Sequence, residues 1–89
     1  MMFLKSPTVA HIHSSLHRQE ILRSEQCGCF YCGNIFKPSE IDVWTDKNNE
    51  GVGQTALCPY CSVDSVIGQA SGYPISDDFL SRMHKRWFG

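Results

Sequence analysis

Two cysteine pairs with the same internal spacing constrain this chain more than any other feature. Cys29-Phe30-Tyr31-Cys32 and Cys58-Pro59-Tyr60-Cys61 each leave two residues between their cysteines, and the segment between the pairs is long enough for a hairpin. Such a pattern supplies four thiolates to one tetrahedral ion and is a strong signal for zinc. Four sulfur ligands leave no position open for water, which points to a single structural ion and not to a catalytic one. Cys29, Cys32, Cys58 and Cys61 are therefore the expected metal ligands. Gly33 follows Cys32 directly, and glycine accepts the positive φ that a tight knuckle needs to aim its amides at sulfur. Cys27 has no partner at this spacing. It reads as a small, partly buried residue outside the coordination shell, although its replacing Cys29 as a ligand stays open.

The chain has 89 residues, so one zinc-stapled domain over residues 1–89 is expected, with its core at about 27–68. A chain of this size buries a small core and benefits from a metal. Hydrophobic residues make up 42%, too many for a disordered chain. The formal charge is −1, and four thiolates around one dication add two more negative charges. That balance is poor for a protein whose main task is gripping a phosphate backbone. Five cysteines is an odd number, and the first residues lack the ordered regions of a secretory signal. No stretch approaches the ~20 apolar residues that span a bilayer, so no membrane association is expected. The combined reading is a cytoplasmic protein with reduced thiols.

Residues 1–10 read as an irregular lead-in. A helix is expected from Ser14 to Ser24, capped by Ser14 or Ser15, with Leu16, Ile21 and Leu22 apolar and His13, His17, Glu20 and Arg23 polar. Pro38-Ser39-Glu40-Ile41 reads as a turn or one helical turn. Residues 41–46 alternate, which places Ile41, Val43 and Thr45 on one face of a strand. The polar run Lys47–Gly53 turns the chain back into a second strand over 54–57, completing a β-hairpin. Pro59 suits a helical first turn, and Val63, Val66 and Ile67 recur at helical spacing. Ser62, unlike Gly33, argues against a second knuckle. The second pair is thus expected at the start of a short helix that ends at Gly68 or Gly72. After a loop over 69–75, a last helix is capped by Ser76. Asp77 and Asp78 sit at its positive end, and Arg82, Lys85 and Arg86 lie toward its negative end. Phe79, Leu80, Met83 and Trp87 form its apolar stripe, and Ile75 is placed to staple onto Leu80.

Knuckle, hairpin, then helix is the order of a treble-clef zinc finger. The fold class expected is α+β, a treble clef flanked by an N-terminal and a C-terminal helix. The chain also resembles a family of small, uncharacterised bacterial cytoplasmic proteins. That resemblance lies in Gly28-Cys29-Phe30-Tyr31-Cys32, Pro38-Ser39-Glu40-Ile41 with Trp44, Cys58-Pro59-Tyr60-Cys61 and Asp64-Ser65-Val66-Ile67-Gly68. His13-Ser14-Ser15-Leu16-His17-Arg18 and the terminal Trp87-Phe88 are similar too. The resemblance implies a zinc-binding protein and assigns no activity.

Three functions compete. The first is a non-catalytic module that binds another protein. The second is a nucleic-acid-binding finger, using Arg82, Lys85 and Arg86, with Arg18 and Arg23 near and Tyr31, Trp44 or Tyr60 stacking on bases. The bland reading of those cations is the helix dipole's own preference. The third is a small hydrolase or nuclease built on His13, His17 and Glu20, at i, i+4 and i+7 on one helical face, with Asp64. The bland reading there is a solvated face. His84 reaches this site if the two outer helices pack side by side. No histidine lies between Cys32 and Cys58 to serve a treble-clef nuclease. Cys58-Pro59-Tyr60-Cys61 also matches a glutaredoxin-like redox motif, but too few residues follow it for that fold. No enzyme activity is expected.

Overall fold

The computed structural model describes residues 10–89, so most of the expected lead-in lies outside the described residues. The architecture is a small α+β arrangement of antiparallel strands and two α-helices among the described residues. In chain order they are α1 (Arg18–Arg23), β1 (Cys27–Cys29), β2 (Ile35–Phe36), β3 (Trp44–Lys47), β4 (Gly53–Ala56), β5 (Val66–Gly68) and α2 (Asp77–Phe88). Single 3-10 turns occupy His11–Ser14, Pro38–Glu40 and Gln69–Ser71. No helix among the described residues is long and apolar enough to cross a membrane.

β1 is the centre of a three-stranded sheet in the order β2-β1-β5. Cys27 faces Phe36 on one side and Gly68 on the other, and Cys29 faces Val66. Successive strand residues point to opposite faces, and each face has its own core. Cys27, Cys29 and Val66 pack with Ile21, Phe36, Ile41, Ala56 and Cys58, with Trp44 at the margin. Ile67 packs on the other face with Phe30, Tyr73, Phe79, Leu80 and Met83. Gly28 lets α2 lie close to β1, because a Cβ there would meet the Leu80 methyls and Ile75.

The helix expected after Cys61 is absent. Residues 58–62 turn, and Val66–Gly68 is a strand instead. Both faces of β5 are buried, so Val66 and Ile67 are consecutive apolar residues without alternation, a pattern that does not separate a buried strand from a helix. The treble clef therefore lacks its defining helix, while the α+β class and the β3–β4 hairpin stand. Gly72, at φ 90°, ends the 3-10 turn over Gln69–Ser71 and not a helix.

The first helix is also shorter than expected. The Leu16 amide donates to Thr55 Oγ1 (2.8 Å) and the His17 amide to the Gln54 carbonyl (2.7 Å). Both amides serve the hairpin instead of a helix, and Leu16 is held at φ 49° between the 3-10 turn and α1. Ser14 does not cap α1, since its hydroxyl donates to the His11 carbonyl. Leu16 and Leu22 face solvent, leaving Ile21 as the buried apolar residue of α1. In the hairpin, the strand starts at Trp44, and Val43 is exposed while Ile41 is buried. The 3-10 turn closes on the Ile41 amide and resets the alternation read from the sequence.

α2 forms as expected. The Ser76 hydroxyl accepts from the Phe79 amide (3.2 Å), Phe79, Leu80 and Met83 are buried, and Ile75 packs against the same cluster as Leu80. His11 lies on Trp87 with ring centroids 4.0 Å apart, tying the start of the described chain to α2.

Candidate metal centre

β1 delivers Cys29 to the mouth of a tight turn, and β4 delivers Cys58 to another. The two turns are built alike. The Gly33 amide donates back to the Cys29 carbonyl (2.8 Å), and the Ser62 amide donates to the Cys58 carbonyl (2.9 Å). Within each loop an amide points at sulfur: Tyr31 to Cys29 Sγ (3.4 Å) and Tyr60 to Cys58 Sγ (3.3 Å). Gly33 has φ 82° and Ser62 has φ 66°. A second knuckle thus exists where serine argued against one. The turn needs a left-handed residue, and serine occupies that region at a cost glycine does not incur.

The two knuckles face each other. Cys29, Cys32, Cys58 and Cys61 place their sulfurs within 4.8 Å of one another, close enough to hold a metal ion. Cys29 Sγ lies 3.6 Å from Cys61 Sγ, and Cys32 Sγ lies 3.7 Å from Cys58 Sγ. A tetrahedral zinc–thiolate site has sulfur–sulfur edges of about 3.8 Å, which these two edges match. None of the five cysteines is in a disulfide.

Further groups address the sulfurs. Asn34 Nδ2 donates to Cys32 Sγ (3.3 Å), and the buried Ser65 hydroxyl lies 3.1 Å from Cys29 Sγ. Sequence reasoning missed Asn34 altogether and did not assign Ser65 to a sulfur. Ser65 also accepts the Phe30 amide on its carbonyl (3.0 Å), so it fastens the first knuckle to the strand after the second. The signal available was position alone, Asn34 directly after the knuckle glycine and Ser65 directly before β5.

Electrostatics favours a cation. Burial pushes the Cys32 thiol up, but hydrogen bonds from Asn34, Cys58 and Cys29 outweigh it and bring it down to about 7. Burial pushes Cys58 and Cys61 up, and the charge on Cys29 adds to the effect. Four sulfurs this close do not all ionise without a positive charge among them. Cys27 stands apart from the four. Its side chain is fully buried, more deeply than expected, and burial pushes its thiol up to about 12. It is a packing residue on the same face of β1 as Cys29.

The histidine face is only partly assembled. His13 Nδ1 meets both carboxylate oxygens of Glu20 (3.0 and 3.1 Å) beside a cavity of about 310 Å³ that His17 also lines. Both His17 ring nitrogens are committed to the backbone, Nδ1 to the His13 carbonyl and Nε2 to the Ala56 amide (3.1 Å). Asp64 is exposed and does not line that cavity. His84 points to the Phe30 carbonyl (3.1 Å) and lines a different pocket.

Of the candidate nucleic-acid residues, Arg82, Lys85 and Arg86 share α2 and Lys85 is exposed, while several others are engaged within the chain. Arg18 donates to the Gly53 carbonyl (2.8 Å) with its guanidinium 4.7 Å from the Trp44 ring centroid. Arg82 pairs with Asp78 (3.3 Å), Arg86 lies 4.5 Å over Trp87, and Tyr60 donates to Glu40 (2.8 Å). No family model, curated protein or solved structure matches the chain. Of what the motif resemblance implies, the four-cysteine cluster supports the metal-binding site alone.

Proposed function

We propose that Cys29, Cys32, Cys58 and Cys61 hold one structural zinc ion, and that the chain is a non-catalytic, cytoplasmic module that binds another protein. The observation that carries the metal reading is the pair of matched knuckles facing across a cage of zinc size. All four sulfurs serve as ligands, which leaves no place for a reacting water. In this reading the ion fixes a surface, and that surface does the work. Protein is favoured over nucleic acid as partner because Arg18, Arg82 and Arg86 are engaged within the chain and the net charge is negative. Weighing against the enzyme reading, both His17 ring nitrogens are bonded to the backbone and Asp64 does not line the cavity beside the His13–Glu20 pair.

Metal analysis of protein purified without added metal is expected to give one zinc per chain. Such sites contribute on the order of 10 kcal/mol, so complete removal by a chelator is expected to abolish the cooperative melt. A chain that keeps its melt and its circular dichroism spectrum after complete removal overturns the structural role. Capture from native cells, with and without nuclease, tests the partner class. Partners lost on nuclease treatment favour nucleic acid.

A further inference from the structure

A pocket of about 380 Å³ lies between the first knuckle and α2, and its lining includes Tyr31, Cys32, Asp77, Ser81 and His84. Phe30, Tyr31 and His84 line it, and Phe88 packs beside them. The Tyr31 ring centroid lies 5.8 Å from that of His84 and 4.9 Å from that of Phe88, the latter pair nearly perpendicular. Phe88 in turn lies 5.4 Å from His84. Tyr31 is 46% and Phe88 44% exposed, a large apolar exposure for two rings that touch. Their arrangement is held from below. The Phe30 carbonyl can only accept, so His84 Nδ1 carries the hydrogen of that 3.1 Å bond.

The one permanently charged side chain in the lining is acidic. Among its lining residues there is no lysine or arginine. Asp77 contributes a carboxylate, and in the zinc-loaded chain proposed above the exposed Cys32 would be a ligand of a centre whose four thiolates outnumber the ion's charge by two. Of the cations on α2, Arg82 is drawn to Asp78 and Arg86 to Trp87, and the exposed Lys85 is not part of the lining. Exposed π faces beside a carboxylate are the chemistry that recognises a cation, and a planar guanidinium satisfies both at once by stacking on the ring and forking onto the carboxylate.

We propose that this pocket receives an arginine side chain from a basic segment of the protein partner. The inference rests on the reading of the chain as a metal-held protein-binding module, and it deepens that reading by naming where the partner binds and what it presents. Tyr31 supplies the stacking face, Asp77 the paired charge, and the first knuckle holds Tyr31 in place.

The experiment titrates the full, zinc-loaded chain with the peptide acetyl-Gly-Arg-Gly-Arg-Gly-amide and follows backbone amides by two-dimensional NMR. Shifts are expected to gather at residues 30–33 and 77–84. Tyr31→Ala and Asp77→Asn are each expected to weaken binding about tenfold, with Tyr31→Phe retaining it. A lysine version of the peptide is expected to bind less tightly. Peptide binding that both weakening variants leave unchanged overturns the proposal. So does an oligothymidylate that moves these amides when the peptide does not. Zinc content and melting of each sample separate the two readings: a zinc-loaded, folded chain that ignores the peptide defeats the pocket alone, whereas a folded chain without metal defeats the zinc reading.

Discussion

His17 is a histidine used as a backbone clamp. Its Nδ1 gives a hydrogen to the His13 carbonyl and its Nε2 takes one from the buried Ala56 amide, so the neutral ring is the only form that satisfies both bonds. Burial holds its pKa below the ordinary value, outweighing the opposing influence of the His13 carbonyl and Glu20. An unfolded chain takes up the His17 proton as pH falls through about 6.5, while the folded chain does so only at lower pH. The unfolded state therefore binds more protons in that window, and stability falls with falling pH there, by at most about 1.4 kcal/mol per pH unit. His17→Ala is expected to cost about 1–3 kcal/mol near neutrality, because the Ala56 amide loses its partner. The cost shrinks toward pH 5.5, where the wild-type protein has begun to lose the same contribution. Urea denaturation of both proteins at two pH values measures this, and an equal cost at both counts against the clamp.

The two knuckles perform the same task with different residues. Gly33 takes its left-handed conformation without strain, whereas Ser62 occupies φ 66° with a Cβ in place. Ser62→Gly is expected to raise stability by about 1 kcal/mol with zinc content unchanged, and Gly33→Ala to lower it by a similar amount. Thermal melts of the zinc-loaded variants check both. This element also shows where the sequence was legible. Cysteine spacing located all four sulfurs, since the donor set and its geometry are local. α2 was legible because its cap, end charges and apolar stripe agree with one another. β5 was not, because three residues buried on both faces carry no alternation and only the pairing with β1 identifies them. The break at Leu16 was hidden for the same reason, as the amides that interrupt the helix answer to Gln54 and Thr55, far along the chain.

On the scale of the molecule, the three-stranded sheet separates a metal-side core from an α2-side core. Ligand geometry belongs to the first and most of the large buried side chains of α2 to the second. Met83 is fully buried on the α2 side. Met83→Ala is expected to cost about 2–5 kcal/mol while leaving one zinc per chain. Denaturation curves paired with metal analysis test this, and a variant that loses stability and zinc together shows that the two cores are not separable.

β2 pairs with one edge of β1 and β5 with the other, so the chain leaves the sheet after Phe36 and returns to it at Val66, opposite Cys29. Between these points lies the β3–β4 hairpin, and in the turn after β3 Asn48 Oδ1 accepts the Glu50 and Val52 amides. Lengthening such a tip changes neither the strand register nor the sulfur cage, and doubling a flexible loop costs only about 0.6 kcal/mol. In evolutionary terms, the hairpin tip is the place where descendants of this chain can acquire length, while the spacing inside each cysteine pair stays fixed.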